Sequence, residues 1–178
     1  MTIAIKPTAS GSTIEQDGST ILTVDGSGNI TPSNDLYPKV PAFHASITSV
    51  QSITSGVWTK LQFDTERYDT ASCFDNVTNY RFTPTVAGYY HVGTACRLYA
   101  TSKSVSALTI YKNGSGSGGF QTNLNGTLPN YTAQHIAGVV YMNGSTDYLE
   151  VYGYIGGTSP SFQAGQNTTY FYGYLVSV

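Results

Sequence analysis

The sequence predicts an all-β protein, an antiparallel sandwich preceded by a short extended segment of different composition. Three observations carry this. Apolar residues alternate over short runs that close on Gly, Pro or Asn, and no run keeps helical spacing over several turns. The chain holds 15 tyrosines and 19 glycines, with Ser, Thr and Asn filling the polar positions, as suits strands and tight turns. Residues 1–36 contain no aromatic residue, whereas aromatics recur throughout the rest.

A length of 178 residues suits one domain plus an appendage. A domain near this size buries roughly 70% of its unfolded surface, enough for its own core. Charged residues make up 10% and the net charge is −2, so the basic footprint of a nucleic-acid binder is absent and no nucleic-acid partner is expected. The opening MTIAIKPTASGST lacks the basic and apolar regions of a secretory leader. No stretch approaches the ~20 apolar residues of a membrane span, so no membrane insertion is expected. Cys73 and Cys96 either pair or stand as two buried thiols. The Asn-x-Ser/Thr triplets at Asn76, Asn113, Asn143 and Asn167 read as accidents of composition.

Residues 1–36 carry an internal echo: Gly11-Ser12-Thr13-Ile14, Gly18-Ser19-Thr20-Ile21, then Gly26-Ser27-Gly28-Asn29-Ile30, with Asp17 and Asp25 as closing residues. This spacing fits very short strands between tight turns. Ile14, Ile21, Leu22, Val24 and Ile30 offer too little apolar area to fold alone. The segment is either an unfolded tail or an anchor that orders against the main domain, neighbouring copies or another protein. Residues 37–41, with Pro38 and Pro41, read as a linker, and the main domain as residues 42–178.

Within the domain, Phe43–Ile47 reads as the first strand. Val57–Phe63 alternates Val57, Thr59, Leu61 and Phe63 toward one face. Tyr80–Thr83 precedes a corner at Pro84 and Gly88, and a strand starts at Tyr89. There Tyr90, Val92, Cys96 and Leu98 share one parity; His91, Gly93, Ala95 and Arg97 share the other. Val105–Lys112, with Leu108 and Ile110 inward, closes at Asn113-Gly114, a hairpin signal because both residues tolerate positive φ. Gly114–Gly119 then reads as a flexible loop. Ile136–Met142 ends at Asn143-Gly144, and Tyr148–Ile155 reads as its partner, ended by Gly156-Gly157. Tyr170–Val178 is the last strand.

That last strand has two apolar faces. Phe171, Gly173 and Leu175 point one way, and Tyr170, Tyr172, Tyr174, Val176 and Val178 the other. A solvated antiparallel sheet shows one polar face. Tyr148, Tyr152 and Tyr154 do the same opposite Leu149, Val151 and Ile155. A homo-oligomer interface through Tyr170, Tyr172, Tyr174, Tyr152 and Tyr154 is one reading; a carpet of exposed tyrosines is the other.

The ordered motifs Ala42-Phe43, Phe74-Asp75-Asn76, Phe82-Thr83-Pro84, Gly88-Tyr89-Tyr90, Leu108 with Lys112-Asn113-Gly114, Asn143-Gly144 with Asp147, and Tyr170-Phe171-x-Gly173-Tyr174-Leu175 resemble the globular C1q domain. That domain is the jelly roll shared with the tumour-necrosis-factor superfamily. The resemblance covers residues 42–178. It departs from the family in the Gly/Ser run after Asn113, in the extra tyrosines, and in lacking a collagen-like stalk. It implies an antiparallel C1q/TNF-like jelly-roll sandwich after the N-terminal anchor, and a homotrimer with the closing strand near a three-fold axis. Some family members bind calcium near the trimer apex. Here Asp64, Glu66 and Asp69 read as a solvated loop instead, since a hard cation needs several converging oxygens. C1q-like domains also occur in bacteriophage structural proteins, and the Gly-Ser-Thr-Ile head is similar in style to segments preceding phage fibre tips.

No catalytic signature is present: no His-Glu-x-x-His, Gly-x-Ser-x-Gly or phosphate-cradling glycine loop. His44, His91 and His135 are far apart, with His91 on the parity opposite the core. Glu150, if buried, needs a partner, for which Arg97 or Arg81 could serve. No cofactor or metal is expected. The favoured expectation is a non-enzymatic, trimeric virion protein, a head fibre, decoration protein or fibre tip. It would be made in the host cytoplasm, attached to a capsid or other virion protein through residues 1–36, with heads that contact host surface polysaccharide. Candidate ligand positions on loops are Phe120, Asn123, Tyr131 and Phe162. The alternatives are a secreted C1q-like lectin or signalling ligand, and a glycan-degrading enzyme.

Overall fold

The computed structural model describes residues 3–9, 11–16, 19–32 and 40–178. Most of the expected 37–41 linker, and Asp17, lie outside them. The chain forms two compact units, residues 1–39 and 40–178.

The first unit is an antiparallel meander of β1 (Ile3–Thr8), β2 (Gly11–Gln16), β3 (Ser19–Asp25) and β4 (Ile30–Pro32), paired in that order. The register sets Ile5 opposite Ile14, Ile14 opposite Leu22, and Val24 opposite Ile30. Residues directly opposite share a face, so these five line one side of the sheet. Ile21 is the extra residue of a bulge, facing no partner between Leu22 and Thr20. The turn after β3 is built by Asp25, whose carboxylate accepts hydrogen bonds from the Ser27 and Asn29 amides and the Asn29 side chain. Within this unit no described residue is buried; Ile5 is 71% exposed and Ile30 65%.

The second unit has eleven strands: β5 (Ala42–Ser46), β6 (Gln51–Ser52), β7 (Thr59–Lys60), β8 (Thr65–Asp69), β9 (Phe74–Asp75), β10 (Arg81–Phe82), β11 (Gly88–Lys112), β12 (Ser115–Asn125), β13 (Tyr131–Met142), β14 (Leu149–Phe162) and β15 (Tyr170–Ser177). Its spine is β11. The Gly88–Tyr99 half of β11 pairs with β13 on one side and, up to Ala95, with β15 on the other; the Val105–Lys112 half pairs with β12 and β14. Between the halves the register with β14 shifts, and Ser102 sits at φ 49°. Sheet one is therefore β8-β5-β15-β11-β13 and sheet two β9-β10-β14-β11-β12, with β6 and β7 along the outer edge of β14.

The sheets meet over an aromatic core. Phe43 and Phe171 come from sheet one, Phe74 and Phe82 from sheet two. Phe43 stacks on Phe82 with centroids 4.4 Å apart and on Phe74 at 5.0 Å, and meets Phe171 edge-on at 4.9 Å. Tyr90 is fully buried, and its hydroxyl donates to the Val86 carbonyl at 2.8 Å. This is an all-β jelly-roll sandwich.

Several local expectations need correction. The Val57–Phe63 run is a strand only at Thr59–Lys60; Leu61 and Phe63 are buried, but Val57 is 48% exposed. The Gly114–Gly119 run is not a loop. Asn113 (φ 54°) and Gly114 (φ 74°) make the turn, and β12 begins at once. The glycines serve close approach: a Cβ on Gly119 would stand 1.6 Å from the Ile110 carbonyl oxygen, beside a bulge in β11. Gly156-Gly157 does not end its strand, because β14 runs on to Phe162. A Cβ on Gly156 would meet Val105 at 2.6 Å, and one on Gly157 would meet Ala100 at 2.9 Å. The partner of Tyr148–Ile155 is the second half of β11, not Ile136–Met142. Cys73 and Cys96 are both free and buried, and burial pushes the Cys96 thiol up to about 12.

Candidate binding surfaces

The outer face of sheet one gathers Tyr170, Tyr172 and Tyr174 of β15. The ring of Tyr172 lies directly over Gly93, where a Cβ would stand 2.5 Å from its hydroxyl oxygen. His91 flanks it at 5.9 Å and also faces Tyr174 at 5.2 Å, while His44 stacks on Tyr170 at 5.3 Å. The Nδ1 atoms of His44 and His91 are buried without a hydrogen-bond partner among the described residues. Burial, then the nearby Arg67 charge, holds His44 below the usual imidazole range. Burial, then Tyr170 and Tyr174, raises the Tyr172 phenol. Around this centre Tyr68, Tyr89, Val139, Tyr141, Tyr174 and Val176 are all more than a third exposed. Strand parity explains the face: the odd residues of β11 and β13 and the even residues of β15 point outward, and Phe171, Gly173 and Val92 point into the core.

Tyr152 and Tyr154 lie elsewhere. They are on the outer face of sheet two, so the five tyrosines expected at one interface divide between opposite sides of the sandwich. Tyr152 stacks on Tyr111 with centroids 4.6 Å apart, and Tyr154 meets Trp58 at 5.4 Å. Between the aromatics sits Glu150, 5% exposed. Its partner is Lys60, not Arg97 or Arg81, and the Tyr152 hydroxyl donates to it at 3.4 Å. The two arginines instead lie over tyrosine rings, Arg81 on Tyr148 at 4.4 Å and Arg97 on Tyr131 at 4.3 Å. Lys60 also donates to the Asn79 carbonyl at 3.1 Å. Asn79 is in turn held by Asp75, whose carboxylate accepts from the Val77, Thr78 and Asn79 amides and the Asn79 side chain. Those bonds hold the Asp75 carboxyl down at about 2. Burial, then Glu150, pushes the Tyr152 phenol up to about 12.

The four candidate loop positions are in strands. Phe120 turns inward against Gly138, and Phe162 is fully buried. Tyr131 opens β13 and packs on Tyr99 at 4.7 Å. Asn123 alone reaches the outer face of sheet two, opposite Ala107 and bonded to Gln121 at 3.0 Å. The segment that does loop, Gly126–Asn130, borders an open hollow of about 580 Å³ with Ser102–Ser104. Sequence reasoning missed Lys103 there. It is 2% exposed and donates to the Leu98 and Asn130 carbonyls and the Thr132 hydroxyl, clamping the bend of β11. No local signal marks it, because its acceptors come from distant segments.

Glu66 and Asp69 belong to strand β8 rather than a loop. Asp64 caps the Thr48 amide and hydroxyl, and Asp69 accepts from the Ala71 and Phe74 amides. Among the described residues no three His, Cys, Asp or Glu side chains converge as metal ligands, and no helix is long and apolar enough to cross a membrane.

No family model and no curated protein matches the chain. Solved structures do. A crystal structure of murine APRIL at pH 5.0 superposes with a TM-score of 0.59 at 12% identity, covering 77% of this chain and 99% of that one. The structure of Eiger TNF from S. frugiperda gives 0.58 at 10% identity, covering 78% and 93%. The fold of residues 40–178 is thus a TNF/C1q-like jelly roll.

Proposed function

We propose that this chain is a non-enzymatic structural protein of a bacteriophage virion, a homotrimer whose jelly-roll heads project from the particle and contact host surface polysaccharide. The observation that carries the reading is the N-terminal sheet. Four strands present Ile5, Ile14, Leu22, Val24 and Ile30 on one face, and no described residue there is buried. A single-layer sheet of this size does not stabilise itself by burial, so its apolar face is built to be covered. Docking on a capsid or other virion protein covers it and leaves the head free. The trimer assignment rests on the C1q-like motifs together with the aromatic outer face of β15.

The test is deletion of residues 1–35. The remaining chain, which holds the whole aromatic core, folds and trimerises but no longer attaches to particles; attachment retained by the truncated chain would refute the anchor. A second reading is a secreted lectin or signalling ligand, which the likeness of the fold to murine APRIL and to Eiger TNF fits equally well. Locating the protein on an imaged particle separates the two.

A further inference from the structure

The outer face of sheet two carries a row of aromatic rings beside a row of amides. Tyr152 and Tyr154 stand on β14, Tyr111 on β11 stacks on Tyr152, and Trp58 sits between Tyr154 and Tyr111, 5.4 Å from the first and 6.3 Å from the second. The ring planes are inclined by 49° at Trp58–Tyr154 and 25° at Tyr111–Tyr152. Between the two rows Ala107 and Thr109 point outward but are 2% and 1% exposed, covered by the larger side chains around them. The register places Tyr154 beside Ala107 and Tyr152 beside Thr109. On the far side it places Asn123 beside Ala107 and Gln121 beside Thr109. An aromatic rail and an amide rail therefore face each other across two small residues.

The rail ends in uncommitted polar atoms. The Trp58 indole N–H, the hydroxyls of Tyr111 and Tyr154, the Asn123 amide nitrogen and the Gln121 amide oxygen have no partner among the described residues, whereas Gln121 Nε2 is spent on Asn123 Oδ1. A dry protein contact would strand these groups. A ligand with apolar C–H faces and many hydroxyls satisfies both rails at once. The charges beneath cancel: Lys60 pairs with Glu150, and Arg81 stands opposite Asp75 in the β9–β10 register. The surface therefore suits a neutral ligand and lacks the cationic excess that anionic polymers need.

We propose that the surface formed by Trp58, Tyr111, Tyr152, Tyr154, Gln121 and Asn123 is a binding site for a neutral hexose glycan. Sugar rings stack on the aromatic rail, and hydroxyls bond the two amides. This deepens the reading of the head as a polysaccharide binder, and it is independent of how residues 1–35 attach.

Trp58 is the one tryptophan of the chain, so tryptophan emission excited beyond the tyrosine absorption band reports on this site alone. The full chain is titrated with maltohexaose, cellohexaose and mannohexaose, and with a heparin hexasaccharide as the anionic comparison. A saturable shift is expected with at least one neutral hexasaccharide and none with heparin. Asn123→Ala, an exposed position that leaves the core intact, and Tyr152→Ala should each weaken binding at least tenfold, with sedimentation unchanged. No saturable shift with any neutral probe, a preference for heparin, or binding indifferent to both substitutions would overturn the site. Particle attachment of the same variants, measured in parallel, separates failure of this site from failure of the virion reading.

Discussion

The two outer faces of the sandwich are both rich in tyrosine, yet they are built to opposite ends. On sheet one the rings are set among valines, with Val139 and Val176 each more than half exposed, and two histidines carry buried Nδ1 atoms without partners among the described residues. On sheet two the rings surround a buried ion pair and a chain of hydrogen bonds that runs from Asp75 through Asn79, Lys60 and Glu150 to Tyr152. On the proposed reading the first face gains by excluding water, and the second keeps the outer polar atoms of its rings and amides turned to it. Aromatic content alone does not define an interface; the partners of the ring edges and neighbouring polar atoms do.

The strongest way to break this comparison is to place the same charge on each face. Tyr172→Asp on sheet one should dissociate the proposed trimer, because an unpaired charge in a desolvated contact costs about 3–5 kcal/mol, more than a hundredfold in affinity. Tyr154→Asp on sheet two should leave assembly intact. Sedimentation velocity at micromolar concentration reads both. If both variants stay assembled, the axis is not on sheet one; if Tyr154→Asp dissociates as well, the two faces are not functionally distinct.

Next in size is the ion pair. Lys60→Met strands Glu150 in the sheet-two face and should lower unfolding stability by roughly 3 kcal/mol, the low end for a broken buried pair. The lysine side chain is 29% exposed, so water reaches the site and softens the loss. Adding Glu150→Leu should restore most of it, since two apolar residues replace a desolvated pair. Urea unfolding of the parent, the single and the double variant decides. A double variant as unstable as the single would mean that Lys60 stabilises through the Asn79 carbonyl and not through Glu150.

How far the sequence anticipated these faces depends on how local each one is. The alternation of Phe171 and Gly173 with Tyr170, Tyr172 and Tyr174 is a period-two signal within one strand, and it identified the closing strand as two-faced without any knowledge of its neighbours. Asn113-Gly114 was legible for the same reason, because its positive φ values are a property of two adjacent residues. Sheet two was not legible in this way. Its rows of rings and amides are assembled from β12, β14, the second half of β11 and the segment around Trp58, and the Lys60–Glu150 pair joins residues ninety positions apart. Tyr152 and Tyr154 alternate with apolar residues just as the tyrosines of β15 do, so alternation groups all five, and register separates them. Gly156-Gly157 and the Gly114–Gly119 run misled for a related reason: a glycine that makes a turn and a glycine that admits a neighbouring backbone look alike until the neighbour is known. The strand from Tyr89 and the Val105–Lys112 strand, separate in the sequence reading, are one strand, β11, with a bend at Ser102–Ser104 held by a buried lysine.

Acid gives the finest distinction between the faces, because it acts on them in different pH ranges. On sheet one, His44 faces Tyr170 and Tyr68, with Arg67 as the nearby charge. Its folded pKa is depressed, so below the unfolded value of about 6.5 the unfolded state binds more protons. The contribution of neutral His44 is whole above that value and is lost as pH falls through the folded value. Unfolding stability should therefore fall between pH 7.5 and pH 5, and His44→Gln should flatten that slope. On sheet two the depressed group is Asp75, at about 2 against an ordinary value of 3.8. Its contribution is present above pH 3.8 and disappears only as pH falls through about 2. Asp75→Asn should thus melt below the parent at pH 7 and at pH 5 alike, with the gap closing near pH 2. Thermal unfolding across pH 2–7.5 tests both halves together. A His44-dependent loss of stability at pH 5 while the Asp75 gap stays open separates the faces by their chemistry; an Asp75 gap that closes by pH 5 would mean that the hydrogen bonds from residues 77–79 do not hold that carboxylate.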